Sequence, residues 1–263
     1  MRTGVAAAVL TAAALTVAAC GSGIPADGDP ATTSATVFEA PPADVAESAP
    51  VPSADAAAVR PLVSTPELED ALFAAARRND AAAVRDALAA GADIEARGQG
   101  GRTPLVAATK ANAVAAATAL IEAGADVNAQ DGMQDSAFLY AGAEGLDEIL
   151  AMTLTHGADV RSTNRFGGTA LIPASEHAHV ETVRTLIRAG VPVNHVNKPG
   201  WTALHEAIVY GDGSDRYVDV VGQLLDAGAD PSIRDADGRT ALRNAQRRGQ
   251  GDIVALLVAR GAN

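Results

Sequence analysis

The chain holds 263 residues, 48% of them hydrophobic, which is enough for a packed core of one or two domains and too apolar for disorder throughout. Alanine supplies 61 residues while aromatics reach only 3%, a mix that fits tightly stacked helices better than a core built on bulky side chains. With 20 basic against 32 acidic residues the formal charge is −12, which disfavours nucleic acid as a partner, and the single cysteine, Cys20, excludes an internal disulfide, a Cys-rich zinc site and a redox pair.

Residues 1–20 read as an export address. Met1-Arg2-Thr3 is a short positive start, and Val5 to Ala19 is apolar apart from two Thr. This run is shorter and less hydrophobic than the roughly 20 apolar residues of a membrane span. The sequence Val17-Ala18-Ala19-Cys20 resembles the lipobox of bacterial lipoproteins. The resemblance implies cleavage before Cys20 and a diacylglycerol thioether on its thiol. The mature protein would then be extracytoplasmic, at the periplasm or cell surface, touching the membrane through its N-terminal lipid alone. The alternative is an ordinary secretory peptide cut after Ala19, with Cys20 a free thiol. Gly21 does not identify the envelope type.

Residues 21–66 carry eight prolines and six acidic residues against one base, Arg60, the composition of a disordered, acidic, Pro/Ala-rich linker. As a flexible chain it would average roughly 37 Å end to end, enough to hold a domain off a membrane. A short helix around Asp55 to Arg60 is the alternative there.

Residues 67–263 are periodic. Gly91, Gly124, Gly157, Gly190, Gly228 and Gly261 are spaced by 33, 33, 33, 38 and 33 residues. A second marker, at Thr103, Ser136, Thr169, Thr202 and Thr240, steps by 33, 33, 33 and 38, so the two markers share one insertion. Thr or Ser there caps the first turn of a helix, with Pro104 suited to the position just inside. Apolar residues at minus seven, minus four and minus three from each glycine, such as Val183, Leu186 and Ile187, form one face of a second helix. The glycine closes that helix in the left-handed region, and a projecting loop follows.

Gly200-Trp201-Thr202-Ala203-Leu204-His205-Glu206-Ala207 and Gly124-Ala125-Asp126-Val127-Asn128 resemble the motifs of the ankyrin repeat family. The resemblance implies an all-α solenoid of about six helix-turn-helix units with projecting β-hairpin loops and a concave face formed by these fingers and the first helices. The units run 67–99, 100–132, 133–165, 166–198, 199–236 and 237–263. The first lacks the Thr-Pro-Leu element and the last lacks a finished loop, as capping units would.

No catalytic residue, metal site or cofactor is expected. His177-Ala178-His179 is the one close histidine pair, but no Cys or carboxylate cluster accompanies it in sequence. In the resembled family His179 falls at a turn between helices, and His205 hydrogen-bonds within its repeat. The insertion at Gly211 to Tyr217 lacks the alternating ligands of an EF-hand and reads as a lengthened turn. Gly98-Gln99-Gly100-Gly101-Arg102-Thr103 lacks the lysine and spacing of a phosphate loop, and no Gly-x-Ser-x-Gly elbow occurs.

The remaining reading is a non-catalytic scaffold binding an unknown protein through finger loops and concave face. The candidate contacts are Arg102, Met133, Arg165, Phe166, Lys198, Trp201 and Arg239, with Arg97 and Arg234 alongside. Arg and Trp are favoured interface anchors. Trp201 has an equal bland reading, lying over the neighbouring finger. This basic and aromatic ridge, on a domain whose own formal charge is −8, favours an acidic partner surface. A self-associating spacer and, further off, an enzyme or small-ligand site are the other function classes.

Overall fold

The structure is a computed structural model that describes residues 64–263. Val17, Ala18, Ala19, Cys20 and the linker through residue 63 lie outside the described residues. Within them, helices follow one another in six pairs: α1 (Pro66–Arg77) with α2 (Ala81–Ala89), α3 (Pro104–Lys110) with α4 (Val114–Glu122), and α5 (Ala137–Glu144) with α6 (Asp147–Thr155). The series continues with α7 (Leu171–Glu176) and α8 (Val180–Arg188), α9 (Ala203–Val209) and α10 (Asp215–Asp226), and α11 (Ala241–Arg248) and α12 (Gly251–Ala259). The odd-numbered helices pack neighbour on neighbour in one row, and the even-numbered helices form a second row behind it. Tertiary contact therefore runs mainly between adjacent units, and stability accumulates interface by interface.

Five first helices begin on a hydroxyl cap: Thr65, Thr103, Ser136, Thr202 and Thr240 each accept a hydrogen bond from the N–H three residues on. Thr169 does not. Its Oγ1 is buried without a partner, and the Ile172 N–H bonds instead to the Thr169 carbonyl at 3.1 Å. Pro173 has no N–H with which to close the ordinary α-helical bond to that carbonyl, so this turn tightens.

The rows approach closely because one small residue recurs where they meet. Ala75, Ala108, Ala141, Ala174, Ala207 and Ala245, one per unit, are all 0% exposed. Leu72, Leu105, Phe138, Leu171, Leu204 and Leu242 recur alongside them as the larger core residues. Each second helix ends at a glycine of positive φ; Gly157, at φ 84°, has nothing within 4 Å of an added Cβ, so its backbone angle rather than space selects glycine.

Three details differ from the sequence reading. The first helix begins at Pro66, one residue inside the stretch assigned to the linker, because Thr65 and Pro66 supply the cap and first-turn proline thought missing from unit one. The insertion in unit five lengthens a helix as well as a turn: α10 has 12 residues where α8 has 9, and Tyr217 on it donates to the Glu176 carbonyl at 2.9 Å. Finally, the loops project as tight turns rather than paired strands, and no strand occurs among the described residues. Each tip closes on two backbone bonds, such as Asn197 N–H to Trp201 O and Gly200 N–H to Asn197 O, both at 2.9 Å, and the arms are too short to extend a ladder.

Candidate partner-binding face

The tips are shaped by one residue type. Asp131, Asn164, Asn197 and Asp235 turn their Oδ1 atoms onto backbone N–H groups of their own tips, for example Asn164 to Phe166 at 3.0 Å and to Gly168 at 3.1 Å. Their recurrence follows the glycine period, but a short polar residue in a loop carries no signal of its own.

Neighbouring fingers are stitched together. Asn128 accepts from Asp159 N–H at 2.8 Å and donates to Gly157 O at 3.0 Å, and Asn194 repeats the pair on Asp230 and Gly228 at 2.8 and 3.0 Å. Arg97 donates to Gln130 O at 2.7 Å, and His195 contacts Gly167 O at 2.6 Å. The finger side is thus a connected surface rather than a set of free loops.

On that surface the candidate residues separate. Met133, Arg165, Phe166 and Lys198 form one strip: Arg165 reaches the Met133 sulfur at 3.0 Å and lies over the Phe166 ring at 4.5 Å, while Lys198 Nζ donates to Arg165 O at 2.9 Å. Met133 is 44% and Phe166 51% exposed. Trp201 is half-buried and packs on Tyr210 of its own unit, ring centres 5.3 Å apart. Arg102 and Arg239 stand apart from the strip. Arg102 lies 3.8 Å from Asp131 beside a separate hollow of about 660 Å³ that also includes Phe73 and Lys110, and Arg239 pairs with Asp237. The basic ridge is therefore partly compensated within the protein itself.

Between units four and five the strip borders a second hollow of about 310 Å³, lined by Phe166, Pro173, Glu176, Asn197, Glu206 and Tyr210 among others. Glu206 is 7% exposed, and its Oε1 accepts from Asn197 Nδ2 at 3.0 Å. Burial, with the nearby Glu176 carboxylate, pushes the Glu206 carboxyl up to about 7. The sequence reading passed over Glu176, Glu206 and Tyr210, because single acidic or aromatic residues at helix positions carry no signal until the helices are placed side by side.

His205 is buried and His179 half-buried, whereas His156 and His177 are exposed. Thr202 Oγ1 lies 2.9 Å from His205 Nδ1, and the two residues form a reciprocal cap at the start of α9; burial lowers the His205 pKa. His179 lies 5.7 Å from His177 with its ring against Gly145. Among the described residues no group of three or more His, Cys, Asp or Glu is placed to hold a metal ion, and no helix is long and apolar enough to cross a membrane.

A family model described as ankyrin repeats, three copies, matches residues 53–131 and 138–235. The chain belongs to the ankyrin repeat family. An ankyrin repeat domain from Acinetobacter baumannii AYE superposes with a TM-score of 0.71 at 56% identity, covering 73% of this chain and 98% of that one. The ankyrin repeat protein EF0377 superposes with a TM-score of 0.70 at 39% identity, covering 74% of this chain and 98% of that one. Among curated relatives, a protein named ankyrin-containing lipoprotein Lxx09580, from Leifsonia xyli subsp. xyli, is 77% identical over 35 residues, 13% of this chain and 14% of its own length. The ankyrin repeat protein YahD of Escherichia coli K12 is 44% identical over 59 residues, 22% of this chain and 29% of its own. The matched segments thus span under a third of either curated relative.

Proposed function

We propose that this ankyrin repeat protein is a non-catalytic scaffold, tethered through a lipid on Cys20 to the outside of a bacterial membrane, that binds a protein partner with its fingers and the groove beside them. Ankyrin repeat domains generally mediate protein–protein interaction, and members of the family are typically non-catalytic. The lipoprotein name of the Leifsonia relative supports the tether, together with the lipobox-like run ending at Cys20.

One observation carries the binding reading. Of the five large hydrophobic side chains exposed among the described residues, Met133, Phe166, Val196 and Tyr210 belong to the fingers and groove of units three to five, and only Val258 lies on another element, α12. An apolar cluster with a charged rim is the usual mark of a protein-binding surface. Arg165 and Lys198, uncompensated by carboxylates among the described residues, favour an acidic region on the partner against the finger strip. Trp201 contributes through its packing on Tyr210. Arg102 and Arg239 contribute at the two ends of the finger row.

Affinity capture from a detergent-solubilised envelope tests the proposal, comparing the full-length lipoprotein with a Met133→Ala, Phe166→Ala variant. Both side chains are exposed, so the variant keeps its fold. A protein held by the wild type and lost with the variant supports the proposal; equal retention, or no enrichment under mild crosslinking, contradicts it.

A further inference from the structure

We propose that the hollow between units four and five is an arginine-binding pocket, which takes the guanidinium of one arginine side chain of the partner protein. This rests on the protein-binding reading above and adds the chemistry of one contact.

The hollow has a volume of about 310 Å³; Phe166, Pro173 and Tyr210 form its apolar walls, and Glu176 and Glu206 supply its charge. Phe166 and Tyr210 are 51% and 56% exposed, so each keeps much of its ring area free for a ligand. Glu206 is 7% exposed and only its Oε1 is engaged, by Asn197; its other oxygen has no hydrogen-bond partner among the described residues. Neither Glu206 nor Glu176 forms a salt bridge among the described residues. The nearest cations of the strip already have partners: Lys198 the Arg165 carbonyl, and Arg165 the Met133 sulfur and the Phe166 ring.

A nearly buried carboxylate with no counter-charge is unfavourable, and a second carboxylate beside it makes ionisation more so. A cation entering the hollow removes both costs. Two half-exposed aromatic rings, Phe166 with Arg165 over it and Tyr210 packed on Trp201, together with a proline, favour a flat, weakly hydrated cation that stacks while it donates in plane, and guanidinium has that shape where ammonium does not. Two carboxylates with a free acceptor match its several N–H donors.

Trp201, the chain's single tryptophan, rests 5.3 Å from Tyr210 and reports on the pocket by fluorescence. The full chain, in detergent, is titrated with a blocked glycine-serine heptapeptide carrying one central arginine, and with the same peptide carrying citrulline or lysine. Calorimetry runs in parallel. The arginine peptide is expected to bind saturably and at least about tenfold more tightly than the citrulline peptide, which has the same shape without the charge. The lysine peptide is expected to bind more weakly than the arginine peptide, and a Glu176→Gln, Glu206→Gln variant of unchanged circular dichroism to lose the arginine preference.

No saturable binding of the arginine peptide up to about 10 mM overturns the pocket. So does equal binding of citrulline or lysine, or an unchanged preference in the double variant. Envelope capture that survives while the peptide result is negative removes the pocket and leaves the protein-binding reading standing. Loss of wild-type capture removes that reading instead.

Discussion

Asn197 donates to Glu206 across 3.0 Å, and one unit further on Asn244 donates to Asp235 across 2.8 Å, so the same loop-to-helix bond is made twice with acid and amide exchanged. The exchange alters the chemistry. Burial works against ionisation of Asp235, but bonds from Asn244 and the Arg239 N–H outweigh it and hold this carboxyl below its usual range. Glu206 has one such bond against burial and the Glu176 charge, and its carboxyl moves up to about 7.

Glu206 therefore holds its proton more tightly in the folded chain than in the unfolded one, where its value is near the ordinary 4.5. The folded state carries more protons between these two values, so this group's contribution to stability is complete below 4.5 and is lost as pH rises through about 7. Glu206→Gln keeps an acceptor for Asn197 and removes the charge. Urea unfolding is expected to show it about 1–3 kcal/mol more stable than wild type near pH 8 and indistinguishable near pH 4.

Thr169 and Thr202 occupy equivalent positions with opposite bonding, the first a buried unpaired hydroxyl and the second a working cap. Thr202→Val is expected to cost about 1 kcal/mol, as cap removal does. Thr169→Val replaces an unsatisfied hydroxyl with a methyl group and is expected to be neutral or stabilising by up to about 1 kcal/mol. Thermal unfolding of the two variants side by side checks the contrast.

Asn194 latches two adjacent fingers through both ends of its amide. Asn194→Ala is expected to cost about 1–2 kcal/mol, with faster hydrogen exchange at the Asp230 amide while the helical core keeps its protection.

Phe138 is fully buried in the third unit, where neighbours pack on both sides. Phe138→Ala is expected to cost about 3–5 kcal/mol and, because contacts run from unit to unit, to split a single unfolding transition in two.

Cys20→Ser tests the tether. The expected outcome is loss of the lipid-modified N-terminal peptide from the mass spectrum and a shift of the protein from the membrane to the soluble fraction, since a single hydroxyl cannot replace acyl anchoring.

Much of the fold was legible because it is periodic: glycines at Gly91, Gly124 and Gly157 and caps at Thr103 and Ser136 report backbone geometry that few other residues satisfy. Thr65 and Pro66 escaped notice because they sit against proline-rich sequence whose composition resembles a linker. The candidate face was legible only at its rim. Phe166 and Lys198 stood out by residue type, whereas the Glu176, Glu206 and Tyr210 grouping arises from two helices 33 residues apart in period and packed side by side. The pairing of Arg239 with Asp237 likewise depends on how the tip turns, which residue type alone does not reveal.

The most direct measurement is site-specific photo-crosslinking in the intact envelope, with a photoreactive residue placed at Phe166 on the finger strip or at Val258 on α12. Both side chains are exposed, at 51% and 55%, so accessibility does not bias the comparison. A discrete higher-mass adduct from Phe166 and none from Val258 is the predicted result. Equal adducts from both positions, or none from Phe166 while the protein is folded and membrane-bound, would contradict a partner seated on the fingers and groove.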